Sequence, residues 1–429
     1  MVLPIIVALS ASLLIGLSVL VKPKRVKFEF YPIVPIVGAL ILILAGSIDL
    51  QTVFSKLIEK SAANPLKVVI LFISTSLISV FLDETGFFEA LACLAAKKAG
   101  DSQLKIFFTF YVLVSVLTVF TSNDVVILTF TPFILQFARR AGIDPKPYVM
   151  AEFVAANTWS MLFLIGNPTN VYLTSAAGID FITYLSVMWL PTIFAGLCSL
   201  IALLLLFGKS LKKPLDKSII DIKLKDKQLS ALGVSVLFVC TAFVAASSYI
   251  GLEMWYISAI CCVSLYVIAL IFYAVRKERP IVVTGGIKRA PWQMAPLVVG
   301  MFIIVLALDL SGFTELCAKF FGEKNVILKY GITSALSANL LNNIPMSVLF
   351  SSIASFATGS GYLKAVYATV VGSNVGAFFT PLGALAGLMF SSIVNKNGVK
   401  FTFADFCKYG FLPAAFSLFG ALAGLAITL

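Results

Sequence analysis

The sequence predicts an all-α polytopic membrane protein with about ten transmembrane helices and two re-entrant helical hairpins, arranged as two inverted repeats. Three observations lead there. Of 429 residues, 60% are apolar and only 12% charged, and the mean hydropathy is +1.02. That leaves too little polar surface to solvate a globular protein. Apolar runs near the length needed to cross a bilayer recur along the chain. Finally, three motifs of the first half return in order in the second.

The apolar runs fall at about 2–21, 31–47, 67–86, 184–207, 231–248, 256–275, 290–309 and 408–428. The first has no basic segment ahead of it and no small-residue cleavage site behind it, so it reads as a retained span. The longest polar stretch, Lys209 to Gln228, is a lysine-rich loop too short to bury a core. These features divide the chain into a first repeat at 1–208, a basic cytoplasmic loop at 209–229 and a second repeat at 230–429.

Two further apolar segments, 105–138 and 331–355, are each broken in the middle by polar residues. If both are hairpins that leave on the side they entered, 25 of the 32 Lys and Arg residues fall in loops on one face. That is the positive-inside distribution of an inner-membrane protein, here with both termini outside. It also accounts for the formal charge of +12 without a nucleic-acid partner. The seven cysteines show no paired spacing and read as small apolar residues, not as a disulfide framework or zinc site. Histidine is absent, so any proton coupling must use carboxylates.

The internal match begins with LDETGFFE at Leu82–Glu89, which recurs as LDLSGFTE at Leu308–Glu315. The hairpin tips follow, SND at Ser122–Asp124 and LNN at Leu341–Asn343. Further on, AANTWSMLFLIGNPTN at Ala155–Asn170 matches GSNVGAFFTPLGALAG at Gly372–Gly387. Asn157 and Gly166 are nine residues apart, as are Asn374 and Gly383. With an odd number of full spans in each half, the second copy lies upside down relative to the first.

Helices broken at membrane depth leave unpaired backbone groups and persist only around a cavity or bound ion. Four breaks are predicted: the tips Ser122–Asp124 and Asn342–Pro345, and unwound points at Gly166–Asn170 and Thr380–Gly383. Their Asn, Ser and Thr oxygens and freed carbonyls suit a small hard cation, and their half-helix N-termini suit an anion or an oxygen-rich substrate. The candidate binding set is Ser122, Asn123, Asp124, Asn157, Gly166, Asn167, Thr169, Asn170, Asn342, Asn343, Ser373, Asn374, Thr380 and Gly383. An ionisable group near the bilayer centre usually has a functional reason, which makes Asp124 the first candidate for proton coupling, compatible with a helix-capping role. Glu152 is a second coupling candidate or an interfacial residue. Asp83 and Asp309 end matched spans, where capping is the simpler role.

At these motifs the chain resembles the ion transporter superfamily, within it the arsenite permease (ArsB) and sodium-proton antiporter (NhaD) branch, related to sodium-coupled dicarboxylate and anion carriers. The resemblance covers nearly the whole chain. It rests on LDETGFFE, the hairpin SNDVVILTFTP, RAPWQ at Arg289–Gln293, LNNIP at Leu341–Pro345 and FTPLGALAG before a basic loop. IGNPTN at Ile165–Asn170 is more similar to the dicarboxylate and anion carriers. The arsenite-pump pattern has aspartates where this chain has Asn157 and Asn374, and often a cysteine in place of Ser373.

The resemblance implies a secondary transporter, not an enzyme, with three readings. The first is an efflux permease exchanging arsenite or antimonite for a proton on Asp124. The second is sodium-coupled uptake of an inorganic anion or a di- or tricarboxylate. Ser122, Asn123, Gly166 and Asn170 would then cage one sodium, and Asn342, Asn343, Asn374 and Gly383 another. The third is a sodium/proton antiporter or the channel subunit of an ATP-driven pump. No ATP-binding glycine loop is present, so an ATPase would be a separate cytoplasmic subunit; a homodimer is also open. No cofactor other than sodium is implied.

Overall fold

The computed structural model describes residues 2–20, 31–59, 64–100, 102–212 and 225–429. The basic segment 22–27 and most of the expected central loop lie outside the described residues. The first half runs α1 (Val2–Leu20), α2 (Ile33–Leu44), α3 (Leu50–Ile58), α4 (Pro65–Glu84) and α5 (Phe87–Ala99). It continues through α6 (Gln103–Phe120), α7 (Asn123–Arg140), α8 (Lys146–Trp159), α9 (Pro168–Ala176) and α10 (Phe181–Phe207). The second half runs α11 (Lys227–Ala245), α12 (Ser247–Ile250), α13 (Met254–Arg276), α14 (Ile281–Arg289), α15 (Met294–Leu310) and α16 (Phe313–Phe321). It ends with α17 (Val326–Leu341), α18 (Asn343–Ser355), α19 (Ser360–Gly376), α20 (Leu385–Lys396) and α21 (Phe403–Thr428). No strand occurs among the described residues.

Seven helical stretches are long and apolar enough to span a membrane by themselves, α14 and α15 counting as the single stretch Ile281–Leu310. The others in the expected ten are shorter. At about 1.5 Å per residue, α8, α9 and α20 each fall well short of a 30 Å hydrocarbon layer; α8 and α9 lie either side of one break, and α19 and α20 either side of another. Helix starts follow local chemistry. Asp180 caps α10 through the Thr183 amide at 2.9 Å, and Thr402 and Asp405 form a reciprocal capping box at α21. The repeated glycine of LDETG and LDLSG has one backbone role in both halves: Gly86 and Gly312 adopt φ of 80° and 79°, turning α4 into α5 and α15 into α16.

Helical hairpins form at both expected places, α6–α7 and α17–α18. At the open end of α6–α7, the Tyr148 hydroxyl, at the start of the following α8, donates to Gln103 Oε1 of α6 at 3.1 Å. At the open end of α17–α18, Thr358 Oγ1 donates to Glu323 Oε1 at 3.0 Å. Packing between the halves is exchanged. α4 packs on α13 while α15 packs on α2; α7 packs on α20 while α18 packs on α9; α10 and α21 pack against each other. This brings both hairpin tips and both helix breaks to the middle of the molecule.

Candidate functional site

The first break lies earlier than expected. α8 ends at Trp159, a turn and a 3-10 segment at Leu164–Gly166 follow, and α9 begins at Pro168 with Asn167 as its cap. Asn170 is therefore helical, placed by Pro168 at the start of α9, a position that tolerates its missing N–H. Its side chain reaches back to the break, where Nδ2 donates to the carbonyl of Ser160 at 2.8 Å. The second break spans Ala377–Ala384 and holds the 3-10 segment Pro381–Gly383, so Thr380 and Gly383 lie in it as expected. Gly166 and Gly383 serve close approach. A Cβ would stand 2.5 Å from the Ser160 carbonyl oxygen at Gly166 and 2.5 Å from that of Gly376 at Gly383.

Between the breaks the two halves are joined by neutral groups. Asn374 Nδ2 donates to Asn170 Oδ1 at 2.7 Å, and Asn374 Oδ1 accepts from Asn167 Nδ2 at 2.8 Å and Ser160 Oγ at 3.0 Å. The hydroxyls of Thr169 and Ser373 meet at 3.0 Å. Asn167 Oδ1 accepts from the Thr169 amide and hydroxyl at 3.1 and 3.0 Å, capping α9. All six residues are buried, and no Lys or Arg hydrogen-bonds to any of them among the described residues.

At the first hairpin tip, Asn123 Nδ2 donates to Asn157 Oδ1 at 3.0 Å, tying the tip to α8. Asn123 Oδ1 and Ser122 Oγ are buried without a hydrogen-bond partner, as are the hydroxyls of Thr118 and Thr158. Each such oxygen costs about 1–3 kcal/mol unless a ligand or water meets it. Asp124 is half-buried in the first turn of α7 and makes no ion pair among the described residues. Glu152 is fully buried, and both its oxygens accept from Thr131 of α7 at 2.9–3.0 Å.

At the second tip, Asn342 donates to the Leu382 carbonyl at 3.2 Å, beside Gly383. Asn343 is buried and its side chain bonds to no described residue. Neither four-residue sodium set is joined by hydrogen bonds as a unit. Asn170 and Asn374 bond to each other instead of to the tips. The sequence reading also missed Ser160 and Asn339. Asn339 donates to the Gly376 carbonyl at 2.9 Å and accepts from Thr380 at 2.7 Å, so α17 satisfies the second break while the first is satisfied by its own Asn167 and Asn170. An amide one turn before Asn342, near the end of α17, was the available signal.

The N-termini of α7, α9, α18 and α20 all begin at these tips and breaks, each contributing a partial positive charge. The groups gathered here are amide and hydroxyl donors and acceptors, free carbonyls and helix N-termini, the chemistry that suits a polyhydroxyl solute, a hard cation and an anion respectively.

Comparison with known proteins agrees with this architecture. Residues 30–366 match the CitMHS citrate transporter family. The "Arsenical pump membrane protein" of Escherichia coli K12 is 28% identical over 414 residues, covering 91% of this chain and 92% of that protein. The protein of the same name from Yersinia enterocolitica is 27% identical over 375 residues, covering 83% and 85%. The crystal structure of the YdaH transporter of Alcanivorax borkumensis superposes with a TM-score of 0.53 over 99% of this chain and 97% of that one, at 13% identity, which is a likeness of fold.

Proposed function

The chain belongs to the citrate transporter family, and from that premise we propose that this multi-pass membrane transporter exports arsenite or antimonite in exchange for protons. The observation that carries the reading is the neutral site between the halves, where Asn374, Asn170, Asn167, Ser160, Thr169 and Ser373 offer amides and hydroxyls and no fixed cation. A small trihydroxide, uncharged at physiological pH, exchanges hydrogen bonds with such groups and needs no charge compensation. A multiply charged anion does need it. The names of the E. coli and Yersinia relatives support the same substrate. Asp124, next to Asn123 at the first hairpin tip and without an ion-pair partner among the described residues, carries the exchanged proton. Exchanged packing of the two halves supports reading them as inverted repeats.

A second reading, sodium-coupled uptake of an inorganic anion or a carboxylate, draws on one specific observation. Ser122 Oγ and Asn123 Oδ1 are buried hard donors without a partner, suited to sodium. One assay separates the two. Purified protein in proteoliposomes is given a pH gradient with sodium wholly absent, then a sodium gradient with citrate or phosphate. Arsenite movement in the first arm supports the exchange reading. Transport only in the second arm overturns it.

A further inference from the structure

We propose that Asp309, with Ser352 and Thr314, forms a binding site for a monovalent cation, sodium or a proton, at the α15–α16 turn. The site is separate from the one between the helix breaks. It gives the second hairpin a direct link to an ion.

The inference begins with the repeated motif. Asp83 of LDETG and Asp309 of LDLSG hold the same position, one turn before matched left-handed glycines. Both carboxylates stand in the last turn of a long apolar helix with no basic residue in that turn. There the negative end of the helix dipole and the free carbonyls disfavour a second negative charge and favour a cation. At α4 the protein supplies that cation itself. Arg289 Nη2 lies 2.5 Å from Asp83 Oδ2, and Arg289 Nη1 lies 2.7 Å from Glu84 Oε1.

At α15 no fixed cation is supplied. Asp309 Oδ1 accepts from Thr314 Oγ1 at 2.6 Å and from Ser352 Oγ, and no Lys or Arg pairs with it among the described residues. Arg289 ends α14, the short helix ahead of α15. The short helix ahead of α4 is α3, and its Lys56 is held at the surface by Glu59 at 3.0 Å. From the other neighbours, α18 brings no ionisable side chain, and α1 and α2 bring none. On α16, Lys319 and Glu315 pair with each other at 2.6 Å. α4 has Lys67, bound to Glu253 at 2.6 Å, besides the Asp83 and Glu84 that face Arg289. α9 brings Tyr172, a phenol close enough to interact electrostatically with Asp309.

A carboxylate and two hydroxyls are hard oxygen donors of the kind sodium takes, and the hydroxyls can turn their lone pairs toward an arriving ion. A proton would neutralise the same charge. Because Ser352 lies on α18, occupancy changes what holds the hairpin arm to α15.

The test uses the full chain, purified in detergent, with thermal unfolding followed against sodium, potassium or choline chloride at constant ionic strength and over a range of pH. Asp309→Asn should remove one component of the sodium or pH response. Ser352→Ala should raise the half-saturating cation concentration roughly tenfold. Asp83→Asn, whose partner is Arg289, should leave the ion response as in the parent protein. A sodium response lost in Asp309→Asn identifies sodium; loss of the pH response alone identifies the proton. Should Asp309→Asn fail to fold, Ser352→Ala and Thr314→Val carry the comparison. Unchanged sodium and pH responses in the folded variants would overturn the proposal and leave Asp309 a cap for the turn.

Discussion

Asn374 donates its amide hydrogen to Asn170 Oδ1 at 2.7 Å, joining residues 204 positions apart. Asn170 in turn holds the Ser160 carbonyl, and Asn374 Oδ1 holds Asn167 and Ser160. The two broken helices are thus clasped through side-chain amides. Replacing Asn374 or Asn170 with Ala should each cost about 1–3 kcal/mol, since buried partners are left unsatisfied. The double variant should be less destabilised than the sum, because both changes remove one shared bond. Unfolding of the three variants in detergent measures this. Strict additivity would show the clasp contributes nothing.

Asp124→Asn should leave the protein folded and inserted while abolishing transport driven by a pH gradient. The amide keeps the size of the side chain in the first turn of α7 but cannot exchange a proton. Proteoliposome flux against a gradient is the readout, and undiminished flux would reduce Asp124 to a structural residue.

Gly166→Ala and Gly383→Ala should each destabilise by about 1–3 kcal/mol, since the added methyl would stand 2.5 Å from a backbone carbonyl that cannot easily move. Gly361→Ala is the control. Its Cβ would meet only Ala357 Cβ, at 3.9 Å, and it lies in the first turn of α19, so stability should hold or rise slightly. Melting temperatures of the three proteins decide the matter.

Thr131→Val should destabilise the protein and perturb transport, because Thr131 is the donor to both oxygens of the fully buried Glu152. Glu152→Gln should keep the fold, since its amide oxygen accepts the same hydroxyl. If Glu152→Gln also keeps pH-driven flux, coupling rests on Asp124 alone.

Lys98→Cys and Asp144→Cys, in a cysteine-free background, should label from the same side of the membrane. Both side chains are exposed, and they flank the α6–α7 hairpin; Tyr148, at the start of α8 just past it, donates to Gln103 at its beginning. Labelling from opposite sides would mean that α6 and α7 do not form a re-entrant unit.

Much of this was legible along the chain. Hairpins at 105–138 and 331–355 appear within a few residues as α6–α7 and α17–α18, because a polar triplet inside an apolar run marks a turn locally. The repeated glycines were legible too, since a left-handed turn is a single-residue requirement. The first break was misplaced, with Asn170 assigned to an unwound segment. Pro168 favours a helix start as much as a break, and the decision was made by the Ser160 carbonyl that Asn170 reaches.

By itself, then, the sequence determined the membrane class, the order of spans and hairpins, and the polar residues gathered at the tips. These follow from composition and segment length, which act within one helix. Only the tertiary structure decided the partners: Asn374 with Asn170, Asn339 with the Gly376 carbonyl, Arg289 with Asp83, and Thr131 with Glu152. Which of several amides or carboxylates a side chain meets depends on how two helices cross and how far each is rotated. Apolar helices with weak amphipathic patterning leave that rotation unmarked in their sequence. It is set by how the helices pack: α6 and α17 lie against the broken helix of their own half, while α7 and α18 also lie against the broken helix of the other.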